Sequence, residues 1–238
     1  MQLTSTNSSI GLIYALKKIY KLDKLKIDIL IDNTHSFLND YIGEIKKILG
    51  SFASYKNIRV FKKHSKIKEG DILFILGCDK ILSSNSIKKH KLNLVIHPSK
   101  LPKGRGGAAL FWEILKGKNS FYLTMFDADE KIDNGKIVLT SKIKLKGNEL
   151  HDEIRIHQAK STLGIIKKFL KNYQKIEFKK QIGKPSYYPK RTPKDSEINI
   201  NKSIKENFNL LRICSNENYP AFFKYKKKKF IIKIYEEN

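Results

Sequence analysis

Asp71-Ile72-Leu73-Phe74-Ile75-Leu76-Gly77 is an unbroken apolar run that opens on an acid and stops at a glycine. A strand with one wet face would alternate apolar and polar residues, so this run reads as a strand buried on both faces, as in a parallel sheet covered by helices. Leu92 to Ile96 repeats that character and ends at His97-Pro98. Upstream, Ile27 to Ile31 and Ile58 to Phe61 are strand candidates, with a helix predicted between them over about Ser36 to Leu49. Downstream, Ala108 to Leu115 has helical spacing, with Gly117 just past its end as a stop. Phe121 to Phe126 and Ile137 to Leu145 read as strands. Leu150 to Tyr173 reads as a long amphipathic helix, its apolar face drawn mostly from Leu150, Ile154, Ile156, His157, Leu163, Ile166 and Leu170. This alternation predicts an α/β fold with an open, mostly parallel sheet. Ligands of such sheets sit beyond the carboxyl ends of the strands, and Gly77 to Asp79 and His97 to Ser99 fall at such ends.

After about residue 176 the texture changes to a Pro/Lys-rich stretch, Pro185 to Asp195, a short helix near Ile204 to Cys214 and an aromatic hairpin from Ala221 to Tyr235. The expected division is therefore a catalytic domain over 1–175 and a small C-terminal α+β lobe, helix plus hairpin, over 176–238. No run approaches the roughly 18 to 20 apolar residues of a membrane span. Met1 to Ile10 is polar and lacks the charged-then-apolar order of a signal peptide. Two cysteines, Cys78 and Cys214, lie far apart, suit a reducing cytoplasm and suggest neither a metal cluster nor a disulfide framework. The formal charge of +25 raises the question of anionic partners. Lysine is spread along the whole chain beside abundant Ile and Asn, as a codon bias would produce, so composition is the simpler explanation.

Two segments carry chemistry. His97-Pro98-Ser99-Lys100-Leu101-Pro102-Lys103-Gly104-Arg105-Gly106-Gly107 places a histidine at a strand end before a rigid loop whose backbone can approach a ligand closely. Asp127-Ala128-Asp129-Glu130-Lys131-Ile132-Asp133-Asn134-Gly135 is an acidic loop between two strands, and it lacks the alternating carboxylates and terminal Glu of a calcium loop. Alone, a strand-end histidine is more often structural, and an acidic loop is usually a solvated turn.

Together, His97-Pro98-Ser99 with Leu101-Pro102, Trp112 with Ile114-Leu115 and Gly117, Leu123-Thr124-Met125-Phe126, and Ile132-Asp133 with Gly135 and Ile137 resemble the folate-dependent formyltransferase family. In that family an Asn-x-His-x-Ser-Leu-Leu-Pro motif precedes a catalytic Asp in Asp-x-Gly by about 36 positions, and His97 precedes Asp133 by 36. The likeness covers roughly Asp71 to Tyr173. It implies a Rossmann-like formyltransferase fold, N10-formyltetrahydrofolate as co-substrate, no metal, and His97 and Asp133 as the catalytic pair. A preorganised donor must meet the charge that develops on the formyl oxygen, and protonated His97 can supply it. Asp133 can relay the proton lost by the attacking ammonium, directly or through one water. One departure stands out: Val95 occupies the place of the family's Asn. Asn93 points to the same side of the strand and is the candidate supporting donor, although it sits about 6 to 7 Å deeper. By the same resemblance, Gly77, Leu82, Asp129 and Lys131 are the candidate folate contacts.

The stretch from Lys184 through Pro185, Tyr188, Pro189 and Arg191 to Asp195, with Phe208 and Tyr219-Pro220, looks like the part that follows the catalytic domain in methionyl-tRNA and sugar N-formyltransferases. The variant Leu101 to Gly106 is more similar to the sugar enzymes, and their resemblance implies a nucleotide-linked amino sugar as acceptor, of the 4-amino-4,6-dideoxy kind used in surface glycans or sialic-acid-like sugars. Ser99, Lys103, Arg105, Tyr188 and Arg191 are the candidate acceptor contacts, since Arg and Lys give charge-assisted hydrogen bonds to phosphate. The competing expectation is a methionyl-tRNA formyltransferase or a transfer-RNA-binding protein. The +25 charge supports it. A tail shorter than the transfer-RNA enzyme's, without a basic stripe interleaved with stacking aromatics, speaks against it. The last hairpin offers a subunit contact for a homodimer.

Overall fold

A computed structural model describes residues 24–237, so the expectation for Met1 to Ile10 lies outside the described residues. In chain order the strands are β1 (Ile27–Leu30), β2 (Ile58–Phe61), β3 (Gly70–Ile75), β4 (His90–His97), β5 (Arg105–Gly106), β6 (Ser120–Asp127), β7 (Lys136–Lys144), β8 (Tyr187–Tyr188), β9 (Ala221–Tyr225) and β10 (Lys228–Ile232). The helices are α1 (Ile42–Gly50), α2 (Ser84–Ile87), α3 (Ala109–Leu115), α4 (His151–Lys171) and α5 (Ile204–Ile213). Six strands form one sheet in the order β2-β1-β3-β4-β6-β7. The first four pair in parallel, and β6 runs antiparallel to β4 with His97 opposite Thr124. The expected open, mostly parallel α/β sheet is therefore present. The direction of strand addition reverses between β1 and β3, which makes their carboxyl ends the topological switch point.

The chain divides into two compact units, and the division differs from the expected boundary at 175. Among the described residues the first holds 24–97 together with 124–140 and 162–181; the second holds 98–123, 141–161 and 182–237. The tail thus shares a unit with segments from the middle of the chain instead of forming a lobe by itself.

In the first unit β1 is buried along its whole length, including one acid. Asp28 accepts from Arg59 Nε and Nη2 at 2.8 and 2.7 Å, and its Oδ2 lies 2.7 Å from His90 Nε2. That set of partners is what makes a buried carboxylate tolerable. Phe74 of β3 meets Phe169 of α4 edge-on, with ring centroids 6.0 Å apart. The predicted helix over Ser36 to Leu49 begins later, at Ile42. Ser36 Oγ instead accepts from Leu38 N–H, and Asn39 Nδ2 donates to the carbonyls of Asn33, Thr34 and Ser36, closing a short 3₁₀ turn first.

The face of α4 also differs from expectation. Ile156 and His157 are exposed, and the buried line is Ile154, Gln158, Ala159, Thr162, Leu163, Ile165, Ile166, Phe169 and Leu170. Periodicity places the polar Gln158 and Thr162 on the core side, where a hydrophobicity reading overlooks them. In the second unit, Ile198, Leu211, Cys214 and Ala221 form a core backed by Phe223 and Ile232. The fully buried Arg212 donates Nε to Glu149 O at 3.0 Å and Nη1 to Asn119 Oδ1 at 3.0 Å. Ser203 and Glu206 cap α5 reciprocally. Among the described residues no helix is long and apolar enough to cross a membrane.

Candidate active site

β4 carries His97 to its carboxyl end, and the 128–135 loop after β6 carries Asp133. His97 Nδ1 lies 3.5 Å from Asp133 Oδ2, with the two side chains only 8% and 14% exposed. This is looser than an ideal hydrogen bond, and an imidazole and a carboxylate at this separation are within reach of proton exchange directly or through one water.

Three features place Asp133. Its φ of 49° is left-handed, a conformation that aspartate tolerates better than most residues. Gly135 packs directly on the end of β6: a Cβ there would lie 1.6 Å from Asp127 O. Gln181 Nε2 donates to both Asp133 O, at 2.8 Å, and Gly135 O, at 2.9 Å. The sequence pointed to the glycine through the Asp-x-Gly pattern but gave no sign of Gln181, because the bond spans 48 positions.

The other predicted residues of this unit divide. Asn93 is buried, and its Nδ2 donates to Ile87 O at 3.0 Å and towards His90 O at 3.5 Å. It therefore closes the turn into β4, and the proposed role as substitute donor does not fit its geometry. Val95 packs against the cluster of Leu30, Ile67, Leu73, Ile75 and Leu82, together with Cys78 and Ala128. Leu82 thus contributes a core side chain, and the loops after β3 and β6 converge on one apolar cluster. Gly77 takes φ 62°, and a Cβ there would meet Ser36 Oγ at 2.1 Å. Asp129 accepts from Lys131 N–H and Asn134 Nδ2, both at 2.9 Å, so its carboxylate organises the loop. Lys131 is exposed. Burial holds the Asp127 carboxyl above its usual range, although it accepts from Asn93 N–H at 2.8 Å. Ile81 and Ile132, both unpredicted as site residues, are 57% and 49% exposed.

In the second unit two of the predicted acceptor residues, Arg105 and Tyr188, lie on neighbouring short strands, with Lys103 two residues before Arg105. β5 and β8 form a two-residue parallel ladder, Arg105 opposite Tyr187 and Gly106 opposite Tyr188. A Cβ at Gly106 would lie 2.4 Å from Tyr188 O, and Gly104 packs between Ser99 and Tyr188. Gly104 N–H donates to Ser186 Oγ at 2.9 Å. Ser99 and Arg105 are buried, and Lys103 is exposed. Tyr188 stacks on Trp112 and donates to Glu113 Oε1 at 2.7 Å, while Lys116 Nζ donates to its hydroxyl at 2.9 Å. Arg191 stands apart from this ladder: Nη2 donates to Asp195 O and Ser196 Oγ at 3.1 and 3.2 Å, and its guanidinium faces Phe111.

Comparison with known proteins bears on this geometry. Residues 54–163 match the sequence model of the formyl transferase family. Over 175 residues the chain is 31% identical to the bifunctional polymyxin resistance protein ArnA of Wigglesworthia glossinidia brevipalpis, covering 71% of this chain and 26% of that protein. It is 29% identical over 157 residues to the methionyl-tRNA formyltransferase of Thermodesulfovibrio yellowstonii, covering 64% of this chain and 50% of the relative. The chain thus spans about half or less of the length of these curated relatives. The fold is shared with a 4-N formyltransferase from Francisella tularensis, with TM-score 0.72, 18% identity and coverage of 91% of this chain and 99% of that one. It is also shared with HypX from Aquifex aeolicus, solved in complex with tetrahydrofolic acid, with TM-score 0.72, 16% identity and coverage of 88% and 37%.

Proposed function

We propose, from the premise that this chain belongs to the formyl transferase family, that it moves a formyl group from N10-formyltetrahydrofolate to the amine of a nucleotide-linked amino sugar. The observation that carries this reading is the 3.5 Å approach of His97 Nδ1 to Asp133 Oδ2 at the carboxyl ends of the sheet, within the matched segment. The residues at hand fit a reduced folate. Exposed Ile81 and Ile132 suit the flat faces of a pterin, and main-chain groups of the 77–82 and 128–135 loops suit its polar edge. When bound, the folate supplies an activated formyl carbon.

The protein's own groups then have defined tasks. His97 faces Asp133 through Nδ1, so Nε2 is assigned to the formyl oxygen, where a proton held on the ring meets the developing negative charge. Asp133 fixes the ring and takes up, directly or through one water, the proton that the attacking amine gives away, and a proton passed on to the folate nitrogen as its bond to the formyl carbon breaks would balance the transfer. Gln181 and Gly135 hold the carboxylate in place. Lys103, Arg105 and Tyr188 are assigned to the nucleotide portion of the acceptor; Arg191, tied to main-chain oxygens, supports their unit from within.

The test is turnover. Purified protein is supplied with N10-formyltetrahydrofolate and a panel of UDP-, dTDP- and GDP-linked 4-amino-4,6-dideoxy sugars, and products are read by mass spectrometry. One member should gain a formyl group, and His97→Asn or Asp133→Asn should lower that rate by about 10²-fold or more with the fold intact. Full activity in either variant would remove the pair from the chemistry. A second reading, transfer to methionyl-tRNA, has support in the names of the curated relatives. It predicts saturable transfer-RNA binding at about 150 mM salt, where non-specific charge attraction has largely faded.

A further inference from the structure

Three side chains outside the formyl-transfer machinery meet at the switch point of the sheet. Asp32 follows β1, His64 follows β2 and Cys78 follows β3, so each comes from the carboxyl end of a different strand in the contiguous set β2-β1-β3. His64 Nε2 lies 2.7 Å from Asp32 Oδ2, and one ligand atom from each of Asp32, His64 and Cys78 lies within 4.8 Å of the others. The carboxylate is oriented from behind, since Asp32 Oδ1 accepts from Asp79 N–H at 2.7 Å. Asp32 and His64 side chains are 9% and 20% exposed. The group is thus shielded without being sealed.

We propose that Asp32, His64 and Cys78 form a three-ligand site for a thiophilic divalent cation, zinc being the best fit, with the fourth position open. Thiolate, imidazole and carboxylate together suit Zn²⁺, which binds them tetrahedrally at about 2.0 to 2.3 Å. Those bond lengths put ligand atoms about 3.4 to 3.6 Å from one another. The Asp32–His64 pair must therefore open a little from its hydrogen-bonded separation, and the widest pair must close by about an ångström. The adjustment falls to the side chains of His64, which is 20% exposed, and of Cys78, which lies at the edge of the apolar cluster.

Cys78 Sγ donates to Leu30 O at 3.4 Å and has the carboxylates of Asp32 and Asp79 nearby. A divalent cation would displace its proton outright, and the two carboxylates that oppose a bare thiolate would favour the cation. Binding forms S–M, N–M and O–M bonds and releases one proton from sulfur to solvent. The consequence is a clip across three strand ends that also fixes the start of the 77–82 loop. This inference stands apart from formyl transfer, which needs no ion at His97 and Asp133.

The experiment uses untagged, EDTA-treated protein titrated with Co²⁺ and then Zn²⁺. Co²⁺ should bind one to one, with a near-ultraviolet sulfur-to-metal absorption and release of about one proton, and Zn²⁺ should displace it and raise Tm in a concentration-dependent way. Cys78→Ser should abolish the absorption and weaken affinity by more than the 10- to 100-fold typical of an outer-shell loss. His64→Gln should act likewise, and Cys214→Ser should change nothing. The proposal is overturned if one equivalent of Co²⁺ gives no sulfur band, if the band survives Cys78→Ser, or if it follows Cys214. In each of those cases Asp32 and His64 are a hydrogen-bonded pair and nothing more.

Discussion

Replacing Gly135 by alanine tests how the site is held, separately from which groups react. The added Cβ would start 1.6 Å from Asp127 O, whereas ordinary contact begins near 3.4 Å, so the two segments must part by about 1.8 Å. Asp127 is the last residue of β6, paired across the sheet with Leu94, and its carbonyl has little freedom to retreat. The loop yields instead and carries Asp133, two residues upstream, away from His97. Misplacing a catalytic group by about 1 Å can cost on the order of 10²-fold, or about 2.7 kcal/mol of barrier. The expected result is therefore a fall in kcat of about 10²-fold or more. Overpacking of this kind lowers stability by about 1 to 3 kcal/mol, which urea unfolding followed by circular dichroism would resolve from global unfolding. Single-turnover kinetics with saturating folate and acceptor separate the chemical step from binding. A Gly135→Ala protein that folds and turns over within about threefold of wild type would refute the argument, because Asp133 could not then depend on that close approach.

Gln181→Ala removes two donors to the same loop without adding bulk, so kcat should fall by a smaller factor, about 3- to 10-fold, with the acceptor KM little changed; an unaltered rate would show the loop is held by packing alone. Val95→Asn should give little gain in kcat and some loss of stability, since it puts an amide into an apolar cluster; a large gain would mark the native site as lacking a donor that the position can supply. Burial tends to raise the Glu149 carboxyl, but N–H donors from Lys146 and Gly147 and the Arg212 charge hold it below its usual range. With the folded value depressed, its contribution to stability is complete above the ordinary value near 4.3 and drains away as pH falls through the folded one. Urea midpoints taken from pH 6 downward should thus fall less steeply in Glu149→Gln than in wild type; parallel acid limbs would contradict this.

The parts of this fold that sequence made legible are those written in short range. Asp71 to Gly77 shows its double burial in seven consecutive letters, and the interval from His97 to Asp133 survives because two strands of set length lie between them. What escaped depends on contacts between distant positions. Asp28 reads as an interruption in a strand, and only the fold brings Arg59 and His90 to it. Gln181 looks like an ordinary tail residue. Cys78 looks solitary, because its neighbours Asp32 and His64 lie on two other strand ends. The two-residue strands β5 and β8 carry no periodicity at all, yet they set Arg105-Gly106 beside Tyr187-Tyr188. The expected boundary at 175 rests on a local change in composition, whereas the two compact units are assembled from separated segments.

Charge shows the same contrast between composition and placement. The chain has five arginines, and each has specific partners: Arg59 on Asp28, Arg105 by Tyr187, Arg155 over Phe111, Arg191 on main-chain oxygens and Arg212 on Glu149. No described lysine is buried, and lysines are distributed over both units. A planar guanidinium is selected where geometry matters, and an ammonium on a flexible stem can stand anywhere in water. Among the described residues the positive excess is thus carried by lysines outside the core, the pattern a codon bias leaves, while the buried cations are Arg105 and Arg212. Arg105 is the one of these that lies on the 97–107 loop, so under the proposed function a loss at Arg105 should raise the acceptor KM more than a loss at Lys103; equal effects would remove Arg105 from that role.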